Sequence, residues 1–330
     1  MSIILNSDEN GFIRAKEILD DDGVIIFPTE TVYGIGANAF SEIAVNKIFD
    51  IKGRPKDNPL IVHIGKKSDI NKLVTKIPGY VKILIDKFWP GPLTLILESK
   101  NIFPSITTAN LDTVGIRMPR DKVARKLLEK LDYPLAAPSA NLSKKPSCTT
   151  TKHVLEDFEN SDIGILAGDD SEIGIESTVL LCTSYPPVIL REGAITEEMI
   201  VELIGDCLTN TSLEENQSPL SPGQKYGHYM PSKKAVLIDM DPQKADKYLE
   251  DKDGIFILTH DNKINKKNTI YLSDYNDLES ACKNYFKVLR DADRMDGNII
   301  YIQALKKEGV GKALYNRMLK SVSGDIIKEE

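Results

Sequence analysis

The residues with the strongest chemical character are cations, hydroxyls and carboxylates placed where short apolar runs end. Lys52-Gly-Arg54-Pro-Lys56 packs three cations into five residues, and Gly53, Pro55 and Pro59 hold them on a stiff loop leading into the apolar run 60–64. Cations at a helix C-terminus commonly do no more than offset the helix dipole. On a constrained loop they can also converge on a polyphosphate. Arg117 closes Thr113-Val-Gly-Ile-Arg117, and Arg191 follows Val188-Ile-Leu. A guanidinium there is most simply a surface charge, yet its planar fork also suits a carboxylate gripped through two parallel hydrogen bonds. Pro28-Thr-Glu-Thr-Val-Tyr-Gly34, the loop from Ala136 through Ser139 and Asn141 to Ser147, and Gly174-Ile-Glu-Ser177 add hydroxyls beside further strands. Each segment alone reads as well as a solvated turn. Together, five strand ends carrying hydroxyls and guanidiniums describe a site for anions.

Other chemistries find less support. His63, His153, His228 and His260 lack metal-ligand spacing, although His63 ends an apolar run near the cationic loop. The four cysteines lie at least 25 residues apart and read as reduced thiols rather than a disulfide framework. Gly34-Ile-Gly36-Ala-Asn-Ala39 fits a dinucleotide fingerprint, but its first glycine lies seven residues beyond Phe27, too far from a strand-to-helix turn. Gly309-Val-Gly-Lys312 imitates a P-loop, with Lys306 in place of the first glycine and Ala313 in place of the magnesium-binding hydroxyl. No Ser/His/Asp or Cys/His pattern appears. A formal charge of −7 argues against stable, direct binding of nucleic acid through phosphates.

The elements that must position these groups follow from periodicity. At 330 residues the chain exceeds what one core usually serves, so two domains are expected. Short apolar runs predict strands over 24–27, 60–64, 93–97, 114–117, 135–137, 178–181 and 188–190. Amphipathic stretches predict helices over 41–52, 80–88, 122–131 and 197–205, with Ser41 as an N-cap. Residues 208–234 are rich in Thr, Ser, Asn, Gln and Pro and read as a linker. A second alternation follows, with strands over 235–238, 255–258, 270–272 and 299–302. Asn276 and Glu279 resemble a capping box ahead of a helix striped with Leu278, Ala281, Cys282, Tyr285 and Leu289. The expected division is 1–207, 208–234 and 235–330. The N-terminus lacks a signal-peptide pattern and no run approaches the ~20 apolar residues of a membrane span, so no membrane association and a cytoplasmic location are expected.

Pro28-Thr-Glu-Thr-Val-Tyr-Gly34, Lys52-x-Arg54, Trp89-Pro-Gly-Pro-Leu-Thr94, Gly115-Ile-Arg-Met-Pro119, Ala137-Pro-Ser-Ala-Asn141 and Glu176-Ser-Thr-Val179 resemble, in order, the motifs of the YrdC/Sua5 family. Ser221-Pro-Gly-Gln-Lys-Tyr226-Gly-His228-Tyr-Met-Pro231 and the second α/β unit resemble its long, two-domain form, so the likeness spans nearly the whole chain. It implies a twisted, mixed parallel and antiparallel sheet with a concave cavity, plus a smaller Rossmann-like α/β C-terminal domain. The activity implied is synthesis of threonylcarbamoyl-AMP and pyrophosphate from L-threonine, bicarbonate or CO2, and ATP with Mg2+. The product would serve a downstream tRNA threonylcarbamoyltransferase complex, met transiently, that makes N6-threonylcarbamoyladenosine.

Carried over by position, Thr31, His63, Arg117, Ala137 and Ser177 would surround L-threonine. Arg54, Asn58, Thr113, Ser139, Asn141, Ser147 and Arg191 would face ATP, with Lys52 and Arg54 as the catalytic cations. The linker would fold over the site and bring Tyr226 or His228 to the nucleotide. Lys144 and Cys148 stand where Gly and Pro are more usual, Cys182 where an acidic residue is common, and Gly227 where a basic one is. Two rival readings are a double-stranded-RNA binding module and a carbamoyltransferase.

Overall fold

The computed structural model describes residues 1–210, 219–221 and 228–329. Two compact units divide the chain. The first is Met1–Ser143, Cys148–Glu172 and Glu176–Lys225, and the second Lys144–Ser147, Ile173–Ile175 and Tyr226–Glu330, in each case through the residues described. Two short stretches that interrupt the first unit in sequence thus belong with the second unit. Tyr226 lies outside the described residues.

Strands β1 (Ile3–Leu5), β2 (Ile25–Phe27), β3 (Gly34–Asn38), β4 (Ile61–His63), β5 (Leu93–Glu98), β6 (Thr113–Arg117), β7 (Leu135–Ala136), β8 (Gly164–Leu166), β9 (Thr178–Leu181), β10 (Val188–Arg191) and β11 (Leu208–Thr209) build the first unit. They form one sheet in the order β1-β8-β2-β3-β7-β4-β6-β5-β9-β10-β11. Parallel pairs such as β4/β6 and β5/β9 alternate with antiparallel ones such as β5/β6 and β9/β10, so the sheet is mixed, as expected. At the start of the stretch that composition marks as a linker, Leu208–Thr209 pairs in parallel with β10.

Side chains alternate across a strand, and here the alternation separates core from site. Val62, Val114, Ile116, Leu95, Leu97, Leu180 and Ile189 face a core shared with Val81, Leu84 and Ile85 of helix Gly79–Phe88 and Ile200 of helix Glu197–Ile204. The opposite face bears His63, Arg117 and Arg191, all of them buried. Helix Glu42–Lys52 starts on Ser41, whose side chain accepts from the Ala44 amide, and ends at Gly53 with φ 61°. Glycine takes that left-handed turn without strain, which stops the helix and swings the chain straight into Arg54.

The second unit holds β12 (Lys234–Asp239), β13 (Ile255–Leu258), β14 (Thr269–Tyr271), β15 (Ile299–Gln303) and β16 (Ile326–Lys328) in an all-parallel sheet ordered β14-β13-β15-β12-β16. Its longest helix, Leu278–Arg294, is capped by Asp277, whose carboxylate accepts from the Ser280 amide. Asn276 is therefore not the cap, and the apparent capping box is one residue out of frame. Among the described residues no helix is long and apolar enough to cross a membrane.

Candidate active site

Strand register gathers the first group of site residues into a row. His63 pairs with Arg117 across β4/β6, and Leu95 with Ile116 across β5/β6, so Thr94 lies beside Arg117 by continuation. Thr94 pairs with Val179, and Val179 with Arg191. A register shift between Ile189 and Arg191 completes the row. Strict alternation would send Arg191 to the core face with Ile189; the bulge returns it to the side of Arg117.

Arg117 is held on three sides. Nη2 donates to Glu30 Oε1 at 2.7 Å, Nη1 to Thr31 Oγ1 at 2.9 Å, and Nε to the Gly91 carbonyl at 3.4 Å. Three of its five N–H bonds are thereby committed, leaving one on each terminal nitrogen. Glu30 is held in turn by the amides of Arg120 and Asp121 at 3.0 and 3.4 Å. Thr29 gives its proton to the Val32 carbonyl at 2.6 Å, so the 2.9 Å contact between the Thr29 and Thr31 hydroxyls is donated by Thr31. Thr31 is wholly buried and supports Arg117 from behind.

His63 Nδ1 lies 3.2 Å from the Ile61 carbonyl. A carbonyl only accepts, so Nδ1 carries the proton and Nε2 is left as an acceptor. Burial, with the Arg117 charge second, lowers this imidazole to about 3, so it is neutral at neutral pH. The Phe27 ring meets it edge-on at 6.2 Å. Room for that ring explains Gly34 and Gly36. A Cβ at Gly36 would approach the Phe27 ring to 2.8 Å, and one at Gly34 to 3.3 Å. The G-x-G pair thus lies in strand β3 and serves an aromatic ring there.

A second group centres on Ser177. Its hydroxyl is 2.8 Å from Thr94 Oγ1 and accepts from Arg191 Nη2 at 3.1 Å, while its carbonyl accepts from Arg191 Nε at 3.1 Å. The third group lies around Lys52. Its ammonium donates to the carbonyls of Ser139, at 2.5 Å, and of Asn141. Burial first, and then the charge of Arg54, lowers Lys52 to about 7. The Ser139 hydroxyl donates to Asn141 Oδ1 at 2.6 Å. Asn58, at the far end of the cationic loop, is buried, and its side-chain oxygen has no partner among the described residues.

Lys52 therefore clamps the Ser139–Asn141 turn. Ala137 donates its amide to the Ile61 carbonyl at 2.9 Å, within the same sheet. Thr113 shares the face of Gly115 and Arg117 but starts β6, about 13 Å from Arg117 at roughly 3.3 Å per residue. Ser147 and His228 lie in the second unit. Sequence reasoning passed over Glu30 and Thr94, although both stand inside quoted motifs; carboxylates and threonines are too common in turns and strands to signal a role unaided.

With this geometry in view, comparison with known proteins decides the family. The Sua5/YciO/YrdC family model, described as telomere recombination, matches residues 17–193, and a Sua5 model described as the C-terminal domain of threonylcarbamoyl-AMP synthase matches 195–323. The chain belongs to the Sua5/YciO/YrdC family. The threonylcarbamoyl-AMP synthase of Pyrococcus abyssi is 38% identical over 99% of this chain and all of its own length, and that of Bacillus subtilis 39% identical over 98% and 96%. Among solved structures, Pyrococcus abyssi Sua5 complexed with L-threonine superposes with a TM-score of 0.92 at 36% identity, covering both chains completely. Both Sua5-type units are thus present, with the mixed sheet of the family in the first and a parallel sheet in the second.

Proposed function

We propose that this chain is a threonylcarbamoyl-AMP synthase that joins L-threonine, bicarbonate or CO2, and ATP, releasing pyrophosphate. One observation carries the reading: two guanidiniums, Arg117 and Arg191, stand in one row on a single sheet face beside a neutral His63. The full-length likeness to named synthases supports it.

The two uncommitted N–H bonds of Arg117 form a fork for the threonine carboxylate. His63 Nε2 and Ser177 offer an acceptor and a hydroxyl to the rest of the amino acid, with Thr31 and Ala137 shaping the wall. Arg54, Asn58, Thr113, Ser139, Asn141, Ser147 and Arg191 address ATP, joined by His228 and Tyr226. The neutral amine adds to CO2 and loses a proton to give a carbamate. A carbamate oxygen then forms a bond to the α-phosphorus as the bond to pyrophosphate breaks. With bicarbonate as the source, one water is released.

Both reactants are anions, so fixed cations offset their repulsion and stabilise charge on the leaving group. Positioning and electrostatics suffice, and no protein nucleophile is required. Magnesium would arrive on the triphosphate rather than in a protein cage. That ion would neutralise phosphate charge. The adenylate then passes to the tRNA threonylcarbamoyltransferase complex in the cytoplasm.

The test is incubation with ATP, bicarbonate and a panel of amino acids, scoring pyrophosphate. Release that depends on threonine is expected. Release that ignores the amino acid, or none at all, overturns the assignment.

A further inference from the structure

Helix Leu278–Arg294 has two working faces. Ala281, Tyr285 and Leu289 are fully buried in the second unit, and Tyr285 OH lies 2.6 Å from Ser321 Oγ. A second line, at spacings of four, four and three residues, runs through Cys282, Phe286, Arg290 and Asp293. Residues so spaced share one side of a helix. Each of them meets a loop.

At Cys282 the loop is Ile173–Ile175, where a Cβ on Gly174 would come within 2.5 Å of the Cys282 carbonyl oxygen and the Lys283 Cα. The Phe286 ring lies 5.0 Å from that of Tyr229, which is 5.5 Å from His228. Arg290 Nη2 donates to the Pro146 carbonyl at 2.6 Å. Asp293 accepts from the Ser232 amide at 2.9 Å, the Ser232 hydroxyl at 2.8 Å and the Lys233 amide at 3.1 Å. The two principal loops are also tied together, since the Met230 amide donates to the Lys144 carbonyl at 2.8 Å. Stretches 144–147 and 228–233 therefore form one hydrogen-bonded frame on this helix.

Two features show that the frame imposes a shape. Lys144 and Tyr229 both hold positive φ, 73° and 64°, a conformation that is unfavourable for a residue with a side chain. Arg290 is only 7% exposed, and a buried guanidinium is a costlier way to fill a helix face than an aliphatic side chain. An arginine spent on a loop carbonyl is accounted for when the conformation of that loop matters. The framed loops carry Ser147 and His228, the two described residues of this unit for which the family likeness implies contact with ATP.

We infer that Arg290 is a positioning residue for ATP: it fixes Lys144–Ser147 so that Ser147 is presented to the nucleotide, and Asp293 does the same for the stretch beginning at His228. The inference rests on the ATP-dependent reading above. It gives the second unit a task, that of a template for loops that meet the nucleotide.

The test compares the full-length chain with Arg290→Met, which keeps length and removes the donors, and Arg290→Lys, which keeps the charge and one donor. ATP affinity by calorimetry and amide exchange of residues 140–150 are read together, with thermal melting as the folding control. In Arg290→Met, ATP affinity falls about tenfold and exchange of the loop rises, while threonine affinity stays within twofold; Arg290→Lys restores part of both. A folded Arg290→Met that binds ATP as tightly as the parent, or whose loop exchanges no faster, overturns the inference. If Arg290→Met does not fold, Asp293→Asn takes the same readouts with the same expected signs, and unchanged ATP affinity there overturns it. A parent chain that binds no ATP would instead sink the functional reading itself.

Discussion

The Arg117 guanidinium and the Glu30 carboxylate meet at 2.7 Å with side chains only 5% and 2% exposed. An arginine so deeply placed is tolerable because its counter-charge is buried with it, and because Glu30 is anchored by amides at the start of helix Lys122–Glu129. The pair leaves a guanidinium that is rigid, correctly aimed and still able to take a second carboxylate. Glu30→Gln keeps the shape and removes the counter-charge. Breaking one side of a buried pair costs about 3–5 kcal/mol, so the urea midpoint should fall sharply and the threonine KM should rise. An unmoved midpoint would show that Arg117 does not depend on Glu30.

Arg54 makes a different kind of contribution. It is half-buried on the loop after Gly53, close enough to Lys52 for its charge to lower the ammonium. Loss of one charge-assisted phosphate contact removes on the order of 2–4 kcal/mol of transition-state stabilisation, by analogy with a lost oxyanion donor. Arg54→Ala should therefore cut turnover at least tenfold with an unchanged circular-dichroism spectrum. Near-parental turnover would take Arg54 out of the site.

Much of the site was legible because its residues sit at strand ends, where a change of residue type marks the end of an apolar run. Arg117 and Arg191 could be placed that way. Their presence on a common face could not, since it depends on the register of five strands and on a bulge after Ile189 that no local pattern announces. Strand β3 was hidden by its glycines, which read as a loop until Phe27 is seen to need the space. β1 and β11 are three and two residues long, too short for a periodicity to declare itself. The split of Lys144–Ser147 from its chain neighbours is a tertiary event, and composition points only to the linker.

Lys52 should make ATP binding pH-dependent. With its folded-state value lowered to about 7, the amine is mostly neutral at pH 8. A nearby polyanion favours the charged form, so binding at pH 8 should take up close to one proton. Calorimetry in buffers of different ionisation enthalpy measures this, and Lys52→Met should abolish the uptake. The same shift affects folding. An unfolded lysine stays protonated to about 10.4, so between about pH 7 and that value the unfolded state holds the extra proton and stability rises with pH. The Lys52→Met chain should lack this rise; a rise of equal slope would assign it to another group.

Gly193 tests whether the bulge that aims Arg191 is held in place from behind. A Cβ there would lie 2.3 Å from the Thr178 amide nitrogen, 2.6 Å from the Ser177 carbonyl carbon and 2.7 Å from the Glu176 oxygen. All three are backbone atoms, so no rotamer can relieve the overlap, and the segment after Arg191 must move away from the start of β9. That movement stretches the 3.1 Å bonds from Arg191 to Ser177, while Arg117, anchored on Glu30 and Gly91, is untouched. Gly193→Ala should thus raise the ATP KM severalfold or more and raise the threonine KM by less, through the Ser177 hydroxyl that Arg191 braces. It should also lose about 1–3 kcal/mol of stability, as overpacked interiors do. Equal losses for both substrates would mean that the two guanidiniums move as one body, and that the division of labour between Arg117 and Arg191 is wrong.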